Sequence, residues 1–270
     1  MKIAIVGCGN MGMAFANSFI QYNLVKKEDL LLIEKNAERG EALQNTKSGV
    51  VVDTISPKIG EYDLIILSVK PQDFTSVHQE LREVIRPNQL VLSIMAGISI
   101  QKIQEVLNHP LVIRAMPNTP ALLGMGMTAF SAAPEVEIQN LRKVENLINS
   151  TGRAVFLEEE SLLDAVTALS GSGPAYFFYL VKAMIEAGKQ MGFEDSMAAL
   201  LVKQTMLGSF HLINNADKSL DELIKAVASK GGTTEAALKR FEEGNLAEHL
   251  QAGIHAAQKK SNRIVKISVI

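Results

Sequence analysis

"KIAIVGCGNMGMAFA", Lys2–Ala16, decides the fold of the first half of the chain. Ile3–Val6 is a continuous apolar run without alternation, the signature of a strand buried on both faces. It breaks at once into a glycine-rich turn, and residues of helical spacing follow. Gly7, Gly9 and Gly12 have the G-x-G-x-x-G spacing of a dinucleotide-binding turn. Gly7 permits the tight turn and Gly9 lets the main chain approach a pyrophosphate. Gly12 allows close packing of helix on strand, and the free N–H groups of the helix start, around Asn10 and Met11, attract the anion. A glycine-rich turn without a ligand carries the same letters; the strand before and the helix after favour the nucleotide. Cys8 reads as a small turn residue. The opening lysine and apolar residues imitate a signal peptide, but the run is too short and no small-residue cleavage site follows. A cytoplasmic protein is expected.

Outward from this stretch, apolar runs alternate with helical spacing. Strands are expected at 2–6, 30–34, 50–52, 63–69, 90–94 and 111–115, with "GMTAFSA" and "RAVFL" adding more up to about residue 157. Helices are expected at about 10–24, 36–46, 71–85 and 99–107. This β-α repetition predicts a Rossmann-type, doubly wound α/β sheet. After "LEEES" no strand is evident. Residues 161–262 read as helices broken at "GSGP", "MGFED", "NNADKS", "SKGGTT" and "EEGN", and Glu158–Glu160 as a solvated helix start. The expected division is therefore 1–157, a dinucleotide-binding domain, and 158–270, an all-helical domain.

Composition narrows the function. A chain of 270 residues with 47% apolar content can fill two cores. A net charge of −2 lacks the basic excess of a nucleic-acid binder. The single cysteine excludes an intrachain disulfide. No apolar run approaches the roughly 18–20 residues of a membrane span. The five histidines show no metal-ligand spacing, so no metal is expected.

The remaining motifs sit where such sheets bind ligands, at the carboxyl ends of strands. Glu34 ends the second strand and fits the acidic residue that holds the ribose hydroxyls of NAD; it would repel the 2′-phosphate of NADP, although Lys35 and Asn36 follow and can offset that. The expectation leans to NADH. Ser68, Val69 and Lys70 end the fourth strand and can line the cofactor, with Pro71 as a first helical residue. In "RAMPNTPA", Pro117 and Pro120 stiffen a loop that can bring carbonyls and the Asn118 amide towards a nicotinamide; a stiff turn alone is the other reading. In Ser229-Lys230-Gly231-Gly232-Thr233-Thr234 the glycines allow a nest of N–H groups that suits a small carboxylate, and the hydroxyls can donate to a ligand or only cap the helix.

"GCGNMG", "VKP", "RAMPNTPA", "SGSGPAY" and "SKGGTTEAAL", in this order, make the chain resemble pyrroline-5-carboxylate reductases over nearly its whole length. The resemblance implies reduction of the C=N bond of a cyclic imino acid to L-proline with NAD(P)H. It implies a homodimer built from the helical halves, assembled in many members into larger rings. It implies that Ser229, Gly231, Gly232, Thr233 and Thr234 bind the substrate carboxylate from one subunit, with the Thr234 hydroxyl beside the ring nitrogen. The cofactor set becomes Gly7, Gly9, Asn10, Met11, Gly12, Glu34, Ser68, Val69, Lys70, Pro71, Met116, Pro117 and Asn118. Two alternatives stand beside it: a two-domain 3-hydroxyacid-type dehydrogenase using Lys182 or Lys189, and a non-catalytic NAD(P)-sensing protein.

Overall fold

The computed structural model describes the backbone of residues 1–267 and the side chains of residues 1–261. Strands β1 (Ile3–Val6), β2 (Leu30–Ile33), β3 (Val50–Val52), β4 (Leu64–Leu67), β5 (Leu90–Ser93), β6 (Val112–Met116), β7 (Gly126–Ala132) and β8 (Gly152–Phe156) form one sheet. Its order is β3-β2-β1-β4-β5-β6-β7-β8, parallel except where β6 meets β7. Helices α1 (Asn10–Gln21), α2 (Ala37–Thr46), α3 (Phe74–Arg82), α4 (Ile100–Leu107) and α5 (Ile138–Asn149) connect the strands. Each expected strand is present; the sequence overran several ends by one or two residues.

The uninterrupted apolar runs have a simple cause. Successive strand residues point to opposite faces, and both faces are covered. Ile3, Ile5, Leu30, Leu32, Leu64 and Ile66 pack with Phe15 and Phe19 of α1 and Val144 and Ile148 of α5. Ala4, Val6, Leu31, Ile33, Ile65 and Leu67 pack with Phe74 and Leu81 of α3 and Ile103 and Leu107 of α4. One register fixes the edge that matters: Val6 lies opposite both Ile33 and Leu67. Gly7, Glu34 and Ser68, each the next residue, therefore reach the same rim, where strand order reverses and such sheets take their ligands.

Beyond β8 the chain is helical: α6 (Leu162–Val166), a π-turn (Thr167–Gly171), α7 (Gly173–Gln190), α8 (Asp195–Asn215), α9 (Leu220–Val227), α10 (Thr233–Glu243) and α11 (Leu246–Ile267). Strand thus gives way to helix after Phe156, at the expected change of texture, but compactness divides the chain later. Met1–Pro174, with α11 from Ala256, forms one unit; Ala175–His255 forms the other. At "GSGP" the expected break is a widened helical turn that leads almost directly into α7.

Glu160 corrects the sequence reading. It is not a solvated helix start. Its carboxylate accepts from the Ile100 N–H at 2.8 Å and from the Arg114 guanidinium at 3.0 Å. Asp164 takes the other arm of Arg114 at 2.9 Å, and the Ser261 hydroxyl donates to Asp164. The second unit leaves much apolar surface uncovered: Phe178, Tyr179 and Met191 are each more than two-thirds exposed, the kind of surface that marks an association face. Among the described residues, no helix is long and apolar enough to cross a membrane.

Candidate active site

A cavity of about 420 Å³ opens at the rim defined by β2, β1 and β4. Gly7, Gly9, Glu34, Ser68, Val69 and Lys70 line it, and Asn36, Arg39, Asp73 and Ser76 join them. The glycines fit a dinucleotide on geometric grounds. Gly7 has φ +92°, a conformation that favours glycine. A Cβ on Gly12 would collide with the Gly7 carbonyl oxygen, so only glycine lets α1 come so close to the turn. A Cβ on Gly9 would meet nothing within 4 Å; that position faces open space at the helix start, where a pyrophosphate would lie. Asn10 and Met11 form the first turn of α1, and Pro71 opens a short 3-10 turn before α3.

Glu34 is 8% exposed and held by three donors. It accepts from the Cys8 N–H at 3.2 Å, from the Asn36 N–H at 2.9 Å and from the Arg39 guanidinium at 3.3 Å. Lys35 turns instead to Glu80, at 2.7 Å. Burial, reinforced by the neighbouring Glu34 charge, pushes the Cys8 thiol up to about 12, which keeps it protonated and unreactive at neutral pH. Sequence reasoning missed Arg39, whose signal was its position one turn into α2 behind the Asn36 cap.

Met116 ends β6, three strands from β1 in the sheet, and Pro117 and Asn118 follow it. The Asn118 amide is committed internally: it donates to the Ser170 carbonyl (3.3 Å) and hydroxyl (3.2 Å) and accepts from the Met127 N–H (2.9 Å). The loop is thereby tied to β7 and to the π-turn.

The second unit carries the "SKGGTT" turn between α9 and α10. Gly231 is left-handed at φ +74°, and Gly232 stands at the helix's N-cap position without any side-chain cap. Thr233 and Thr234 are the first two helical residues; Thr233 is exposed and Thr234 half-buried. Their hydroxyls therefore do not cap α10. The Gly232 N–H closes the turn on the Ser229 carbonyl at 3.0 Å. The Gly231 N–H is held by the Glu235 carboxylate at 2.6 Å, a contact signalled in the sequence only by a glutamate at the third helical position.

Lys189, one of the two alternative catalytic lysines, hydrogen-bonds Asp195 and pairs with Glu186, which holds its pKa above the usual lysine value and keeps it charged. A lysine so held is a poor base for alcohol oxidation.

Residues 160–264 match the family model described as pyrroline-5-carboxylate reductase dimerisation, and residues 2–97 match NADP oxidoreductase coenzyme F420-dependent. The pyrroline-5-carboxylate reductase of Pseudomonas aeruginosa is 34% identical over 98% of this chain and 97% of its own. That of Aquifex aeolicus is 33% identical over 98% of this chain and 97% of its own. This chain belongs to the pyrroline-5-carboxylate reductase family. Among solved structures, the NADP-bound Plasmodium falciparum pyrroline carboxylate reductase superposes with a TM-score of 0.89 at 26% identity, covering 98% of each chain. The Streptococcus pyogenes enzyme gives 0.87 at 29% identity, covering 97% of this chain and 98% of its own.

Proposed function

We propose that this chain reduces the C=N bond of L-1-pyrroline-5-carboxylate to L-proline, the last step of proline synthesis, using NAD(P)H. The observation that carries the reading is the "SKGGTT" turn. Gly231 and Gly232 shape the turn, their own N–H groups held by Glu235 and the Ser229 carbonyl, and the uncapped helix start offers the N–H groups and hydroxyls of Thr233 and Thr234, a pattern suited to a small carboxylate beside a basic nitrogen. Residues 1–157 would hold the dinucleotide, and 158–270 would supply the substrate turn and the dimer contacts. The uncovered apolar helices of the second unit support the homodimer.

The nicotinamide supplies the hydride when bound. The chain's own work is positional. Ser229 and the N–H groups of Thr233 and Thr234, in the turn that Gly231 and Gly232 shape, would grip the carboxylate, and that grip provides binding energy for orienting the imine carbon. The Thr234 hydroxyl would hydrogen-bond the ring nitrogen and make that carbon more electrophilic, and the proton that the nitrogen gains along with the hydride would come from water. In the dimer, the turn of one subunit would face the nicotinamide held by the other. Glu34, fixed at the ribose end of the cavity, favours a free 2′-hydroxyl and hence NADH. A ring of dimers and a cytoplasmic location complete the reading; light scattering tests the first.

The test is turnover. Purified protein is mixed with pyrroline-5-carboxylate and NADH or NADPH, beside a Thr234→Ala variant. Oxidation of the cofactor with proline as product, and a loss of about 100-fold or more in the variant, on the scale of a lost transition-state donor, support the reading. Cofactor binding without turnover sinks it and leaves the NAD(P)-sensing alternative.

A further inference from the structure

The anion at the ribose end of the cavity is fixed, whereas the cation beside it is not. Glu34 is held by two main-chain donors, Cys8 N–H and Asn36 N–H, one from the glycine turn and one from the start of α2. Its position is thus set by the backbone. Arg39 contacts Glu34 through one guanidinium nitrogen, at 3.3 Å, and its side chain is 54% exposed. Lys35, the other cation that follows β2, is drawn off by Glu80.

Arg39 is also oddly placed for helix stability. It is the third residue of α2, where the helix dipole and free N–H groups already concentrate positive charge and disfavour another cation. The Asn36 side chain accepts from its N–H and so fixes its backbone. An arginine at such a position is compensated either by a buried carboxylate or by a bound phosphate, and a guanidinium fork suits a phosphate better than a lysine does.

We infer that Arg39 is a latent ligand for an adenosine 2′-phosphate, and that Glu34 restrains it. The Glu34–Arg39 pair, rather than Glu34 alone, then sets the choice of dinucleotide. While the carboxylate is present, Arg39 neutralises it and a ribose 2′-hydroxyl is read. Remove the carboxylate's charge, and the same arginine turns to the phosphate with no new cation introduced. This rests on the cavity being the dinucleotide site of the proposed reductase.

The test is calorimetric titration of the full-length protein with NAD⁺ and with NADP⁺, with no substrate and no turnover. Wild type, Glu34→Gln, Arg39→Gln and the double variant are compared. Wild type is expected to bind NAD⁺ about tenfold more tightly than NADP⁺, roughly one 1.4 kcal/mol step. Glu34→Gln should tighten NADP⁺ by about tenfold, and the double variant should lose that gain. Arg39→Gln alone should weaken NADP⁺ more than NAD⁺; this comparison stands even if Glu34→Gln folds poorly. Equal gains in the single Glu34 variant and the double variant overturn the inference, because Arg39 is then not the receiver. So does a wild type that binds both cofactors equally, since nothing is then held back. Turnover with pyrroline-5-carboxylate is read separately: tight, Arg39-dependent binding without turnover refutes the reductase reading and leaves this inference standing.

Discussion

Arg114 of β6 and Glu160, 46 positions apart, meet at 3.0 Å with the guanidinium only 4% exposed. Asp164 holds the other arm of the same guanidinium, and Glu160 also receives the first main-chain N–H of α4. One buried cation therefore joins a strand, the start of a helix and the chain segment after the last strand. Replacing Arg114 by methionine would keep volume but leave two carboxylates facing each other without a cation. Removing one partner of a buried pair commonly costs about 3–5 kcal/mol. Partial exposure of both carboxylates argues for the lower end of that range. Urea titration should show a lowered midpoint with little change in slope.

Gly9 and Gly12 should separate cofactor binding from folding. Gly9→Ala adds a methyl group to open space in an extended conformation any residue adopts, φ −71° and ψ −172°. The folded protein should melt within about 1–2 °C of wild type, a surface-scale effect, yet bind dinucleotide weakly, because the methyl group would occupy the place proposed for the pyrophosphate. Gly12→Ala forces its Cβ against the Gly7 carbonyl and within 3.1 Å of the Ser68 hydroxyl. It should lower the melting point as well as binding. Thermal melts with and without cofactor check both; equal melting losses in the two variants would contradict the geometry.

Most of the sheet was legible because its chemistry is local. Buried parallel strands need unbroken apolar runs, and Ile3–Val6, Leu30–Ile33 and Leu64–Leu67 are such runs. The glycine turn was legible for the same reason: steric demands at Gly7 and Gly12 leave one acceptable residue. What stayed hidden depends on partners far away in sequence. Glu160 reads as solvated because Arg114 lies 46 residues earlier. Nothing near Asn118 announces its bond to Ser170, 52 positions on. Arg39 was missed although near, because its meaning lies in which carboxylate it meets. The "SKGGTT" turn was legible as special, but Glu235's hold on Gly231 needed the three-dimensional turn.

Cys8 gives a pH-dependent prediction. Burial, then the Glu34 charge, raise its folded pKa from an ordinary thiol value to about 12. The folded state thus keeps the proton more tightly than the unfolded state. This contribution to stability is complete below pH of about 8.5–9, where both states are protonated, and is lost progressively up to about 12. The slope from this group is about 1.4 kcal/mol per pH unit within that window. Cys8→Ala should flatten the alkaline fall of stability relative to wild type. The same thiol should resist iodoacetamide at pH 8 in the folded protein and react once urea unfolds it; rapid alkylation of the native state would show that the burial is wrong.

Glu235 should matter to substrate binding without touching the reacting atoms. Its carboxylate anchors the Gly231 N–H at 2.6 Å and so steadies a left-handed residue, φ +74°, next to the helix start that would receive the substrate carboxylate. Removing it frees the turn to sample other conformations, and the cost of ordering returns at each binding event. A negative charge near the substrate carboxylate also vanishes, which helps binding. The two effects oppose one another and can be separated. Glu235→Gln keeps an oxygen acceptor for Gly231 while dropping the charge, so KM should fall or stay level. Glu235→Ala drops both, and KM should rise by about three- to tenfold, equivalent to roughly one modest hydrogen bond. In both variants kcat should stay within about twofold, because an interaction made equally in ground and transition states changes KM alone. Steady-state kinetics with pyrroline-5-carboxylate as the varied substrate decides it. A glutamine variant as impaired as the alanine variant would mean that the charge itself, and not the hold on Gly231, is what the turn requires.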